Sequence, residues 1–102
     1  MNDLWLRVCS LIEQGFGVKI DPARVKMPNV FITQPDLIYI FSGDRRSHGP
    51  ALYVPSCNTV MVTPDYDRGH LAHEFAEAVV YQSPAITFKE TEDYARYVEA
   101  NL

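Results

Sequence analysis

The chain has 102 residues, of which 47% are hydrophobic and 22% charged, a composition typical of an ordinary globular domain. Its 13 acidic and 9 basic residues give a formal net charge of −4. Nucleic acids and anionic membrane surfaces bind concentrated basic faces, so neither is expected as a partner. A chain of this length has room for one core, and we expect a single domain over residues 1–102.

The amino-terminal segment and the cysteines both favour a cytoplasmic location. Asp3, Arg7 and Glu13 interrupt the apolar run that a signal peptide would need. No apolar run approaches the roughly 20 residues that cross a bilayer, so no membrane span is expected. Cys9 and Cys57 have no metal-ligand partner at a suitable spacing, which is typical of free thiols in a reducing compartment.

The first half of the chain predicts one helix and two strands. Residues 2–14 carry apolar side chains at helical spacing, and Gly15 is the expected helix end. Asn29–Thr33 and Leu37–Phe41 are rich in β-branched and aromatic residues, so strands are expected there. The following run, Ser42–Pro50, has the composition of a loop.

The second half predicts a hairpin followed by two helices. Ala51–Val54 and Thr59–Thr63 are short apolar runs separated by four turn-forming residues. A helix is expected from about Asp65 to Gln82, started by a Thr63 cap and ended before Pro84. A capping box beginning at Thr87 predicts a last helix over Phe88–Ala100. The order indicates an α+β domain with helices packed on a three- to four-stranded mixed or antiparallel sheet.

The segment from His70 to Glu77 contains the residues best suited to metal binding or catalysis. His70, His73, Glu74 and Glu77 fall on one side of the predicted helix. Two side chains four residues apart on a helix can coordinate the same ion. This spacing occurs twice, in His73 with Glu77 and in His70 with Glu74. A solvated polar face on an ordinary helix would produce the same pattern. His70 itself is expected to be a surface residue of the first turn, or else an added ligand.

Three segments together resemble the gluzincin family of zinc peptidases, and the length is that of its compact members, the minigluzincins. LAHEFAEAVVY resembles the active-site helix, whose signature is HExxH. ALYVPSCNTVMVTPD resembles the hairpin before that helix, and EDYA resembles the glutamate-containing helix that supplies the third metal ligand. The resemblance implies a small zincin-like fold in which the first strand of the hairpin lies along the substrate cleft.

Carried over by position, the resemblance implies a role for each matching residue. His73 corresponds to the first metal ligand, Glu74 to the general base and Glu92 to the third ligand. The strand residues that would pair with an extended peptide are Ala51, Leu52 and Tyr53. The chain departs from the pattern at Glu77, which stands where the family has its second histidine and makes the motif HExxE.

The glutamate at position 77 changes the expected charge of the centre. Two carboxylates and one imidazole would neutralise a divalent ion, whereas two imidazoles and one carboxylate leave a net charge of +1. A neutral centre polarises a carbonyl less and acidifies water less. The oxygen-rich ligand set also shifts preference from zinc toward manganese or iron. We expect one divalent ion, zinc first, with manganese and iron as alternatives.

The functional expectation is a metal-dependent peptidase in which Glu74 takes a proton from the attacking water and passes it to the leaving amine. The substrate or ligand would be a peptide or protein. One alternative is an inactive binding or regulatory module on the same zincin scaffold. Another is an unrelated α+β interaction domain in which the HExxE string is coincidental.

Overall fold

Four α-helices and a three-stranded mixed sheet make up the described part of the chain. The computed structural model describes residues 2–42, 50–84, 86 and 91–102. In chain order the elements are α1 (Asn2–Phe16), β1 (Asn29–Ile32), α2 (Pro35–Ser42), β2 (Ala51–Val54), β3 (Thr59–Val62), α3 (Arg68–Gln82) and α4 (Thr91–Asn101). The expected α+β class is confirmed.

The sheet has the strand order β1-β3-β2, with β3 in the centre. β1 runs parallel to β3, and β2 runs antiparallel to it with Leu52 opposite Met61. The predicted hairpin is confirmed: a short 3₁₀ turn, Pro55–Cys57, joins its strands, and Asn58 follows in the left-handed region at φ 45°. The central strand is buried on both faces, since Val60, Met61 and Val62 are all inaccessible to solvent or nearly so.

One hydrophobic core lies between the sheet and the helices α1, α3 and α4. Phe75 of α3 is fully buried and packs edge-to-face on Trp5 of α1, with ring centroids 5.5 Å apart. The apolar face predicted for the first helix is the buried face in the structure. Its members are Leu4, Trp5, Val8, Leu11 and Ile12. These contacts fix α3, and therefore the side chains on its other face, relative to the sheet.

The end of α1 lies two residues beyond the predicted end. Gly17, with φ at +66°, donates its N–H to the Glu13 carbonyl and ends the helix. Gly15 lies inside the last turn, so its assignment as the helix end was wrong. Its lack of a side chain has a different use: a Cβ there would lie 2.4 Å from Cε1 of Tyr97 on α4.

The strand predicted at Leu37–Phe41 is wrong, because the structure has helix α2 over Pro35–Ser42. Pro35 and Asp36 occupy the first turn, where a missing N–H is harmless and an acidic side chain is favourable. Ile38 is buried and its helix contacts β2. The local β-propensity of this run was therefore outweighed by a helix start signal and by packing.

Helix α3 begins three residues later than its predicted start near Asp65. Asp67 is the N-cap, and its carboxylate accepts a hydrogen bond from the His70 N–H at 2.8 Å. Thr63 does not cap the helix, because its hydroxyl donates to the Asp65 carboxylate in the turn before it. The predicted end at Gln82 is confirmed.

Two predicted features fall on parts of the chain that are not described. The loop predicted at Ser42–Pro50 lies mostly outside the described residues, as does the capping box predicted at Thr87. The last helix is described from Thr91 to Asn101. Among the residues with a described structure, no helix has the length and apolar character needed to cross a membrane.

Candidate metal centre

Helices α3 and α4 bring three ligand-type side chains together. His73 and Glu77 stand one turn apart on α3, and Nε2 of His73 lies 3.5 Å from a carboxylate oxygen of Glu77. Glu92, in the first turn of α4, places an oxygen 3.6 Å from the same nitrogen. The three ligand atoms all lie within 4.8 Å of one another. The three residues expected from the sequence to be ligands are therefore neighbours in space.

These separations suit a shared divalent ion. Zinc ligands at roughly 2.0–2.2 Å from the ion and at tetrahedral angles stand about 3.4 Å apart. The two distances from His73 Nε2, 3.5 and 3.6 Å, are close to that value. Two carboxylates and one imidazole also suit manganese and iron, which accept oxygen-rich sites. The donor set and these two separations are therefore compatible with the expected cofactor.

A further acidic residue, Glu99, contacts the other side of the His73 ring. One of its carboxylate oxygens contacts Nδ1 of His73. A carboxylate at Nδ1 keeps the proton there and leaves Nε2 free to face Glu77 and Glu92. Glu99 was not among the site residues predicted from the sequence, although a signal existed: it lies two helical turns after Glu92 and so shares its face of α4.

Glu74, the expected general base, is buried between the ligands and the edge strand β2. It is 7% exposed, and its Oε2 has no hydrogen-bond partner among the described residues. The Tyr53 main-chain N–H hydrogen-bonds the Glu74 carboxyl group, and Glu77 shares a hydrogen bond with it. A buried carboxyl oxygen without a partner costs stability, which makes Glu74 a candidate functional residue.

The acid–base balance of the centre follows from these contacts. A hydrogen bond to Glu77, and a second to Glu99, raise the pKa of His73 to about 9 against the opposing effect of burial. Burial, followed by the hydrogen bond and charge of Glu77, raises the pKa of Glu74. Burial also acts to raise the pKa of Glu77, but hydrogen bonds from His73 and Glu74 outweigh it and lower that pKa.

His70 lies outside this centre. Its Nδ1 accepts a hydrogen bond from the Asp67 N–H at 3.2 Å, which completes a capping box at the start of α3. The ligand register of His70 with Glu74 is thus not assembled in the structure. The expectation that His70 is a surface residue of the first turn is confirmed, and its side chain caps the start of the helix.

The residues nominated for substrate pairing form strand β2, which is an edge of the described sheet. The Thr63 N–H donates to the Pro50 carbonyl, and the alternation of an antiparallel ladder then turns the Leu52 amide toward β3. The amides of Ala51 and Tyr53 face away from β3. Of these two outward donors, the Tyr53 amide is used by Glu74.

The arrangement combines a candidate ion site, an adjacent buried carboxyl group and an edge strand that contacts the same helix, α3. Comparison with known proteins found no matching family model, no matching curated protein and no matching solved structure. The centre can bind a divalent cation, hold one imidazole tautomer and present a proton acceptor beside the cation.

Proposed function

We propose that this chain is a metal-dependent hydrolase of peptide bonds with a zincin-like active site. One observation carries the proposal: His73, Glu77 and Glu92 converge from two helices, and Glu74 lies beside them with a buried, unpartnered oxygen. An ordinary solvated helix face would not bury a carboxyl group in this way, because burial without a partner is unfavourable. The adjacent edge strand supplies a place for an extended substrate.

His73 Nε2 and one carboxylate oxygen each from Glu77 and Glu92 would hold the ion. When bound, a divalent ion polarises a substrate carbonyl and lowers the pKa of a water molecule. Glu99 holds the Nδ1 proton of His73, so that the imidazole keeps its orientation and Nε2 can bind the ion once its own proton has left. The role of α4 is therefore twofold, since it supplies both a ligand and the group that orients another ligand.

Glu74 acts as the general base in this proposal. It accepts a proton from the attacking water while the water oxygen bonds to the peptide carbonyl carbon. It then delivers that proton to the nitrogen of the leaving amine as the C–N bond breaks. The Tyr53 amide orients the carboxyl group. The pKa of Glu74 is raised in the metal-free protein, and a nearby divalent charge favours its ionised form.

Strand β2 would bind the substrate in extended form. An added strand gains main-chain hydrogen bonds without requiring a particular side-chain sequence. Ala51→Pro removes an amide that faces away from β3, so it should weaken substrate binding and spare the sheet. Leu52→Pro is the contrasting variant. It removes an amide of the ladder itself and should lower the stability of the fold.

A second candidate function is an inactive binding module that keeps the scaffold and the ion. The observation that favours it is Glu77, because a carboxylate in this position leaves the centre neutral and weakens its action on water and carbonyl groups. This module would bind an extended peptide at β2 without cleaving it. The two candidates share the ion site and differ in turnover.

Metal analysis and a cleavage assay separate these functions. The purified protein should bind one Zn²⁺, Mn²⁺ or Fe²⁺ per chain, and His73→Ala should lower the affinity at least tenfold, about 1.4 kcal/mol. Cleavage of an unfolded protein that is abolished in Glu74→Gln, with metal affinity kept, supports the hydrolase. Binding of metal and peptide without cleavage supports the module. Unchanged metal affinity in His73→Ala contradicts both.

A further inference from the structure

The side chain of Tyr53 connects strand β2 to the turn that follows it. The residue is 7% exposed, and its hydroxyl donates a hydrogen bond to Oδ1 of Asn58 at 2.8 Å. Its ring packs edge-to-face on Tyr81 of α3, with ring centroids 6.2 Å apart. Burial raises the pKa of the phenol to about 12, so the hydroxyl keeps its proton at neutral pH and acts as the donor. The side chain is therefore fixed at both its ring and its hydroxyl.

Asn58, the acceptor of this hydrogen bond, is held by contacts of its own. Its φ of 45° lies in the left-handed region, which asparagine tolerates better than most residues do. Its Nδ2 donates to the Lys26 carbonyl at 3.3 Å, and its main-chain N–H donates to the Pro55 carbonyl at 3.2 Å. The Asn29 N–H donates to the Asn58 carbonyl at 3.0 Å. Oδ1 of Asn58 therefore has a fixed position from which to accept the phenol.

Gln82, the last residue of α3, joins these contacts to the helix of the candidate centre. Its Nε2 donates to the Lys26 carbonyl at 2.9 Å and lies 3.4 Å from Oδ1 of Asn58, while its Oε1 accepts the Lys26 N–H at 3.0 Å. Glu74 lies eight residues earlier on α3, or about 12 Å along the helix axis. Tyr53 therefore contacts α3 at two distant points, through its main chain at Glu74 and through Asn58 at Gln82.

The main-chain contact is the Tyr53 amide, which faces away from β3 and hydrogen-bonds the Glu74 carboxyl group. An outward amide on an edge strand otherwise faces solvent or an added strand. Oε2 of Glu74 has no partner among the described residues, so the Tyr53 amide and Glu77 are the groups that hold this carboxyl. A displacement of residue 53 relative to α3 would therefore change the direction of the Glu74 carboxyl group.

We propose that Tyr53 and Asn58 are positioning residues, because the hydrogen bond between their side chains holds the main chain of β2 where the residue-53 N–H orients Glu74. Neither side chain belongs to the candidate ligand set. The Ala51 amide is then the outward donor of β2 that is left for a substrate. The consequence for catalysis rests on the proposed function, whereas the contact between Tyr53 and Glu74 can be measured without turnover.

The NMR signal of the residue-53 amide proton tests the contact in the metal-free protein. A hydrogen bond to a carboxyl group moves this signal downfield and slows its exchange with solvent, and Glu74→Ala sets the values for complete loss. Tyr53→Phe and Asn58→Gly should each shift the signal toward those values and accelerate exchange about fivefold to tenfold, the effect of one hydrogen bond. Glycine keeps the left-handed turn. The matched control, Thr59→Ala, removes another hydrogen bond of the same turn, to the Cys57 carbonyl, and should change neither property.

Kinetics give a second measurement in a protein that cleaves peptides. Both variants should lower kcat about tenfold and leave KM and Zn²⁺ affinity at the wild-type values, because only the orientation of the general base changes. Three outcomes overturn the proposal: a residue-53 amide that is unchanged in Tyr53→Phe and Asn58→Gly, an equal change in Thr59→Ala, or an unchanged kcat. A protein without any cleavage contradicts the proposed function instead, and the amide signal then decides whether Tyr53 and Asn58 position Glu74.

Discussion

The charge of the candidate centre depends on Glu77. Replacing it with histidine would restore the ligand set of the family that the segment resembles and add a unit of positive charge. We expect Glu77→His to raise the ratio of Zn²⁺ affinity to Mn²⁺ affinity at least tenfold over the wild-type ratio, because imidazole suits zinc better than an oxygen ligand does. Isothermal titration calorimetry measures both affinities. Any hydrolysis at neutral pH should increase as well.

The control for this variant is Glu77→Gln, which removes the carboxylate without supplying an imidazole. It should bind every divalent ion more weakly than the wild type, because an amide oxygen is a poorer ligand than a carboxylate. If Glu77→His and Glu77→Gln bind Zn²⁺ equally well, the side chain at position 77 is not a ligand. The 3.5 Å contact with His73 would then be an ion pair only.

Glu99 is expected to act on the ion through His73. Glu99→Gln keeps the shape of the side chain but weakens the acceptor at Nδ1, and changes of this kind cost about 10–100-fold in metal affinity. The absorption spectrum of the Co²⁺-loaded protein should shift, since the imidazole would turn. Asp93→Asn, which removes a charge from the same helix, should change neither property. Identical affinity and spectrum in Glu99→Gln would show that the contact does not orient the ring.

Spacing along the sequence could predict two of the three candidate ligands. The pair His73 and Glu77 follows from helical geometry, because residues four apart are neighbours on any helix. Glu92 lies on a different helix from His73 and Glu77, so helical spacing does not connect it with them. Only the resemblance to the peptidase family indicated it as a ligand. The burial of Glu74 and its contact with Tyr53 depend on how α3 packs against β2, which no local pattern encodes.

Among the elements, α2 shows why local propensity can mislead. The run from Leu37 to Phe41 is rich in residues that favour strands, yet Pro35 and Asp36 before it form a helix start. Ile38 is buried where α2 contacts β2, while Leu37 and Ile40 are exposed. The start signal was present in the sequence. Its packing partner, β2, could be known only from the tertiary structure.

The close approach of α1 and α4 gives a prediction at the scale of elements. A Cβ on Gly15 would lie 2.4 Å from the Tyr97 ring, which also packs edge-to-face on Phe16. Gly15→Ala should therefore lower the free energy of unfolding by about 1 kcal/mol or more, measured by urea denaturation, although alanine favours helices. Gln14→Ala, at the exposed neighbouring position, should not destabilise the protein.

A second substitution tests whether the Tyr97 ring causes the loss. Gly15→Ala combined with Tyr97→Ala should be more stable than the sum of the two separate effects predicts, because the clash exists only when both side chains are present. Additive effects would mean that Gly15 is needed for another reason. A Gly15→Ala variant as stable as the wild type would contradict the close approach of the helices.

At the scale of the whole molecule, the centre links folding to pH. The folded protein raises the pKa of His73 from 6.5 to about 9 and also raises that of Glu74, so it holds more protons than the unfolded chain. The contribution of His73 is fully present below pH 6.5 and is lost as pH rises toward 9. Glu77 has the opposite sign, since its lowered pKa stabilises the fold above the usual carboxyl range.

Metal should reverse this dependence. Metal-free protein, kept in a chelator, should lose stability in urea between pH 6.5 and 9. His73→Gln should reduce that slope and leave the part that comes from the raised pKa of Glu74. A divalent ion binds His73 only after its proton leaves, so bound Mn²⁺ should stabilise the protein more as pH rises through the same range. The difference in unfolding free energy with and without Mn²⁺ should therefore widen with pH in the wild type and vanish in His73→Gln. A difference that does not depend on pH would mean that the ion binds without displacing the proton of His73, and the centre on α3 and α4 would not be its site.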